Sequence, residues 1–310
     1  MPWRTIFGVT GRLLIAAGVV LLLFVGYQLW GTGVQTRAAQ ERLERTFESQ
    51  LAEVADDDAA TPGASDGGEA AAATLAALQT GDPVARLEIP KIGVDYIVLE
   101  GVDLGTLESG PGHFPETPLP GQPGNSAIAG HRATYDAPFN LLNEMVPGDE
   151  VVVTTVQGEF RYEVLPNAGA PEDPPGSVYG YRIVSPTALE ILDDKGDDRI
   201  TLMGCHPRYG SSSRIVVEAR LVTDSAPATP PPPTAAAASD GTELLRGESG
   251  GWGPVLLWSG AVIVVCALVL LAAHQWRRWR WAFYLLALAP VGLLLFRSFE
   301  AVTNLSPVAY

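Results

Sequence analysis

The sequence predicts a mainly β domain, a closed barrel or a sandwich, carried outside a membrane by apolar helices near both ends of the chain. Three observations lead there. Short runs rich in Val, Ile and Thr recur through the middle of the 310 residues, separated by turn signals. Three strongly apolar runs lie near the two ends. Stretches without apolar periodicity stand between those runs and the middle, and they delimit one domain at residues 83–222.

The first apolar run covers residues 13–30 and follows Arg4 and Arg12. About 20 helical residues cross the ~30 Å of bilayer hydrocarbon. A cleaved signal peptide has a similar pattern. Here no small-x-small site follows a short apolar core, and Tyr27, Gln28 and Trp30 form an interfacial boundary, so the run reads as an uncleaved anchor. The second and third runs cover residues 252–273 and 281–297, and the segment between them, 274–280, holds Arg277, Arg278 and Arg280. Short basic loops stay cytoplasmic. With residues 1–12 inside, the middle domain outside and 274–280 inside, every span alternates and residues 298–310 end outside. The expected location is therefore the cell membrane, multi-pass, with an extracytoplasmic domain and the lipid bilayer as a partner.

Residues 31–82 read as a stalk helix followed by a flexible linker. Leu43, Phe47 and Leu51 recur at helical spacing, whereas residues 55–76 are mostly Ala, Gly, Asp and Ser. A second, Pro- and Ala-rich linker covers 223–251 and includes Pro230 to Pro233. Within the domain the expected strands are 85–89, 94–99, 126–131, 150–156, 159–165, 199–204 and 214–222, with short helices at 104–108 and 138–145. Residues 82–222 carry ten Lys or Arg against twenty-one Asp or Glu. That balance excludes a nucleic-acid partner, since phosphate binding needs a basic surface.

The chain has two cysteines. Cys266 lies inside an apolar run and behaves there as a small apolar residue. Cys205 lies in the outside domain, and its one intrachain partner is in the bilayer, so it is expected as a thiol. A nucleophile, a buried structural thiol and an intermolecular disulfide all remain open on that ground. Cys205 ends the run Arg199-Ile-Thr-Leu-Met-Gly204, and Arg214 opens the next run nine residues later. If the two runs pair, Arg214 returns near Cys205, where a guanidinium can donate to a developing oxyanion. Taken alone, Arg214 reads better as an ordinary strand-edge surface arginine. His131 ends the run Asn125-Ser-Ala-Ile-Ala-Gly-His131, at a second strand terminus. His206 adjoins the cysteine and so points to the other face, His113 lies in a turn-rich loop, and His274 sits at a membrane edge. No metal or other cofactor is expected: no His or Cys pair has ligand spacing, and Asp193 to Asp198 lacks the EF-hand pattern.

Three stretches resemble the sortase family, and most closely its class E branch from high-GC Gram-positive bacteria. They are LEIPKIGVDYIVLEGVD, LESGPGHFPETPLPGQPGNSAIAGHRATYDAPFNLLNEMVPGD and ITLMGCHPRYGSSSRIVVEARL. The resemblance covers residues 83–222 and implies an eight-stranded β-barrel that works as a cysteine transpeptidase. It makes Cys205 the nucleophile toward a sorting signal on a secreted protein. His131 becomes the acid and base, and Arg214 the group that stabilises the oxyanion or holds the signal. The acceptor it implies is an amine of a peptidoglycan precursor or cross-bridge. Tyr135 matches a class E tyrosine thought to favour Ala over Pro in the signal, which points to an LAxTG-like rather than an LPxTG-like substrate. One departure stands out: the family pattern Thr-Leu-x-Thr-Cys is here Thr201-Leu-Met-Gly204-Cys205. A pilin-polymerising class C enzyme is the alternative within the family, although Asp82-Pro83-Val84 lacks the aromatic of the class C lid. A catalytically silent binding module on the same barrel is the alternative outside enzymes.

Overall fold

Alternating side chains explain why the middle of the chain closes into a barrel. In the computed structural model, which describes residues 15, 18–60, 68–174, 176–208, 210, 212–229, 252–276, 278 and 280–303, nine strands form one sheet. They are β1 (Pro83–Ile89), β2 (Val94–Glu100), β3 (Gly112–His113), β4 (Asn125–Ala129), β5 (Glu150–Thr155), β6 (Gly158–Val164), β7 (Tyr181–Val184), β8 (Arg199–His206) and β9 (Ser213–Leu221). The order β6-β5-β1-β2-β3-β4-β8-β9 closes on itself through a β6–β9 pairing, giving an eight-stranded closed barrel. The outer edge of β9 is divided: Ala219 to Leu221 pair with β6, while Arg214 to Val217 pair with β7.

The interior is built from Leu87, Ile89, Val98, Ile128, Val151, Val153, Ile200, Leu202, Ile215 and Val217, all fully buried. Strand β6 alternates buried and exposed residues, as expected of a strand with one wet face. Strands β4, β8 and β9 are instead buried almost continuously. Both of their faces are covered, so residues at their ends sit in a shielded environment.

The structure adds elements that periodicity did not reveal. β3 has two residues and β7 four, too short for a repeating pattern. The helix expected at 138–145 is only a 3-10 turn at Leu142–Glu144, with Phe139, Leu142 and Met145 packed into the core instead. The expected strand 126–131 stops at Ala129, leaving His131 just beyond it.

Helix α1 (Thr32–Ala60) lies along the barrel, and its Leu43, Phe47, Leu51 and Val54 stripe is half-buried to buried. A short helix, α2 (Gly68–Ala76), follows where the composition reads as a linker; its alanines favour helix without any apolar period. Residues 61–67, within that expected linker, lie outside the described residues. Gln40 of α1 acts as a missing strand neighbour: its amide accepts from Ile97 N at 2.7 Å and donates to Ile97 O at 3.0 Å. It also donates to Ser109 O at 2.9 Å, at the end of α3 (Leu104–Ser109). After β9 the chain stays tied to the barrel, with Ala226 N donating to Gly121 O and Gln122 bonded to Thr229. The expected linker residues 230–251 lie outside the described residues.

A second unit holds the terminal apolar segments. Helices α4 (Trp252–Gln275) and α5 (Arg280–Thr303) are long and apolar enough to cross a membrane, and their apolar side chains are mostly exposed. They pack on each other, with Ser259 and Ser298 hydroxyls hydrogen-bonded at 2.7 Å. Residues 18–26 are helical, and Phe24 and Tyr27 stack edge-on against Phe299 and Phe296. Residues 1–14 and 304–310 lie outside the described residues.

Replacing Gln40 by Ala leaves the Ile97 amide and carbonyl without their partner, at a cost of about 1–3 kcal/mol. Gly110→Ala should act through the same contact, because a Cβ there falls 2.2 Å from Gln40 Nε2. Hydrogen exchange on the full chain should show faster exchange at β2 in both variants. Unchanged β2 protection would mean that α1 does not hold this edge.

Candidate active site

Strand register pairs two of the sequence-predicted site residues, Cys205 and Arg214, and brings the strand that leads into His131 alongside them. β8 and β9 are antiparallel, with Cys205 opposite Arg214, and opposed residues present their side chains on the same face. β4 runs parallel to β8, with Ala129 opposite Met203 and Gly130 N donating to Met203 O at 3.0 Å. His131 follows Ala129 by two residues and Cys205 follows Met203 by two, so both leave this pairing at its same end. Neighbouring strands lie about 4.8 Å apart, so an imidazole, a thiol and a guanidinium come from three adjacent strand ends. All three residues are buried.

Burial sets their charge. It pushes the Cys205 thiol up to about 11, against the opposing pull of Arg214 and then Arg132. It pushes the His131 imidazole down to about 4. Among the described residues, His131 Nε2 is buried without a hydrogen-bond partner. Near neutral pH the resting pair is thus a neutral thiol and a neutral imidazole. A neutral imidazole can accept the proton that a thiol loses on attack, and a buried guanidinium can stabilise the resulting oxyanion.

The other histidines are elsewhere. His113 is fully buried, 2.8 Å from Glu100 through Nδ1 and 3.0 Å from the Pro118 carbonyl through Nε2, tying β3 to its surroundings. His206 turns away from the thiol toward Glu172, at 3.5 Å. Asp197 pairs with Arg199 and Arg220.

Tyr135 stands beside the site. Its ring lies 4.9 Å from the His131 ring, its hydroxyl donates to Glu108 at 3.1 Å, and its amide donates to the Thr32 hydroxyl at 3.1 Å. The loop that carries it is unusual: Tyr135, Asp136 and Ala137 all have positive φ, at 53°, 61° and 47°. Each such non-glycine residue costs on the order of 1 kcal/mol or more, and persists only where its surroundings hold it. Asp136 is held by a bidentate Arg37 at 2.6–3.1 Å and by the Tyr96 hydroxyl at 3.0 Å. That hydrogen bond to Arg37 lowers the Asp136 carboxyl below its ordinary range.

Sequence reasoning passed over Arg132, Glu108 and the α1 residues Thr32 and Arg37. Arg132 is buried and donates to the Cys205 carbonyl at 3.0 Å. Its one sequence signal is adjacency to His131, which does not separate a buried arginine from a surface one.

Comparison with known proteins identifies the family of this fold. The family model described as the sortase domain matches residues 87–222. Sortase SrtE1 of Streptomyces coelicolor is 32% identical over 232 residues, 69% of this chain and 56% of that protein. The chain thus spans little more than half the length of that relative. Sortase SrtE2 of the same organism is 30% identical over 221 residues, 69% of this chain and 81% of that protein. Sortase D of Bacillus subtilis is 32% identical over 154 residues, 49% of this chain and 72% of that protein. With a closed barrel that lines up a histidine, a cysteine and an arginine, and relatives at this identity over most of their length, the chain belongs to the sortase family.

Proposed function

We propose that this protein is a membrane-held cysteine transpeptidase that attaches secreted proteins to the cell wall. The observation that supports the reading is the pairing of Cys205 with Arg214 across β8 and β9, beside the strand β4 that leads into the buried His131. Cys205 Sγ attacks a backbone carbonyl of the sorting signal while its proton passes to His131. Arg214 stabilises the oxyanion. The tetrahedral intermediate collapses to a thioester as His131 returns the proton to the leaving amine. A cell-wall amine then gives up a proton to His131, attacks the thioester, and releases Cys205 as a thiol. Capture by water instead gives hydrolysis, the slower side reaction of the same thioester.

Tyr135 is assigned to the second position of the signal, where Ala fits beside its ring better than Pro. The substrate is then an LAxTG-like signal, and the acceptor an amine of a peptidoglycan precursor or cross-bridge. Residues 13–30, 252–273 and 281–297 span the membrane, with 274–280 cytoplasmic and the barrel (residues 83–222) outside. The positive charge of Arg277, Arg278 and Arg280 supports that orientation.

The full chain in detergent, given LAxTG or LPxTG reporter peptides and an amine, should form an acyl adduct on Cys205 and a transfer product, both seen by mass spectrometry. Cys205→Ala should lose both, and Arg214→Ala should lower turnover by about 10²-fold or more. Tyr135→Ala should narrow the preference for LAxTG while leaving the adduct. A folded chain that forms no adduct with either peptide would remove the transpeptidase reading.

The buried His131 also predicts a pH dependence of stability. Its folded pKa of about 4 lies below the ordinary 6.5, so the unfolded chain takes up the proton first as pH falls. The contribution is complete above pH 6.5, is lost between 6.5 and 4, and amounts to on the order of 3 kcal/mol. In His131→Gln the acid slope of the unfolding free energy over that range should flatten. An unchanged slope would show that His131 titrates normally.

A further inference from the structure

The glycine that departs from the family pattern and the buried arginine that sequence reasoning missed belong together. Gly204 alternates with Cys205 along β8 and so lies on the opposite face from the thiol, and Arg132, just beyond β4, comes against that face. A Cβ on Gly204 would lie 2.9 Å from Arg132 Cγ, 3.1 Å from Arg132 Cδ and 3.3 Å from Gly130 O. Gly204 is not in the left-handed region, so close approach rather than backbone conformation is what asks for glycine here. The threonine of the family pattern does not fit with Arg132 in this position.

The path opened by Gly204 leads the Arg132 guanidinium to the back of the nucleophile. Nη1 donates to Cys205 O at 3.0 Å, Nε to Phe139 O at 3.3 Å, and Nη2 to Asn140 O at 3.2 Å and Asn143 Oδ1 at 2.7 Å. All four acceptors are uncharged. A buried cation held, among the described residues, by neutral oxygens is costly to keep, and it favours negative charge arising nearby. Phe139 N in turn donates to His131 O, so the same hydrogen bonds reach the segment that holds the histidine.

We propose that Gly204 and Arg132 act as one unit, in which Arg132 is a positioning residue that fixes the backbone of Cys205 and supplies a second positive charge behind it. The hydroxyl that the family pattern offers beside the nucleophile is thereby replaced with a guanidinium. The inference rests on Cys205 being the nucleophile. Among the described residues, the charged groups that act on the thiol are Arg214 from β9 and Arg132 after β4, while Arg208 beyond β8 and Tyr181 of β7 act on Arg132. Arg208 also donates to Asn140 O, at 3.2 Å. Burial and then Arg208 lower the Arg132 pKa; burial raises the Cys205 thiol, and Arg214 and then Arg132 oppose that rise.

The test is the pH dependence of Cys205 alkylation by iodoacetamide on the full chain in detergent, read at that residue by mass spectrometry so that Cys266 is separated. It reports on the thiol whether or not any peptide is turned over. Arg132→Met should raise the midpoint, so that alkylation at fixed pH below it falls about threefold or more. Arg132→Lys, which keeps the charge without the fork, should restore much of it. Gly204→Ala should shift the midpoint in the same direction as Arg132→Met, and should add nothing in the Arg132→Met background. An unchanged midpoint in folded Arg132→Met, or effects of the two substitutions that multiply, would overturn the proposal. Should Arg132→Met fail to fold, Gly204→Ala carries the test by itself, and an unchanged midpoint in folded Gly204→Ala is again decisive against the proposal.

Discussion

The site depends on the register between β8 and β9. Cys205 faces Arg214 because the two strands pair in one alignment along eight residue pairs, from Arg199 with Arg220 to His206 with Ser213. A slip by one residue would turn every side chain of one strand to the other face, taking Arg214 away from the thiol and Ile215 and Val217 out of the core. The buried Ile200, Leu202, Ile215 and Val217 therefore fix the chemistry as well as the fold. The parallel β4–β8 pairing transmits the same constraint to His131.

The loop after His131 is the opposite case, a conformation imposed from outside. Three successive left-handed residues do not hold themselves, and the hydrogen bonds that hold them come largely from α1 and Tyr96. Arg37 is mostly exposed, so its ion pair with Asp136 is weak by itself. The buried Thr32 and the Gln40 amide on the β2 edge are better placed to hold α1 against the barrel. A helix that looks like a stalk in the sequence is thus a wall of the region around Tyr135.

What the sequence discloses follows from the length of each signal. Seven strands carry enough alternating Val, Ile and Thr to be seen, whereas β3 and β7 are set by their neighbours and leave no period. His131, Cys205 and Arg214 are visible because each ends or opens a strand and because their order resembles the sortase pattern. Arg132 is not visible: its burial depends on a gap at Gly204 that exists only once β4 and β8 are side by side. The docking of α1 is hidden likewise, since Leu43, Phe47 and Leu51 have the same spacing in a free amphipathic helix and in one laid on a barrel.

Burial gives the site its particular electrostatics. Removing His131 and Cys205 from water leaves both neutral at rest, which avoids the cost of keeping an ion pair in a shielded place. The cations face the thiol from two directions, Arg214 across the β8–β9 pair and Arg132 from behind β8. Neither contributes much while the thiol is neutral. In the proposed mechanism their effect grows as charge develops on sulfur and then on the carbonyl oxygen. That is the condition under which an interaction lowers a barrier rather than merely stabilising the resting enzyme.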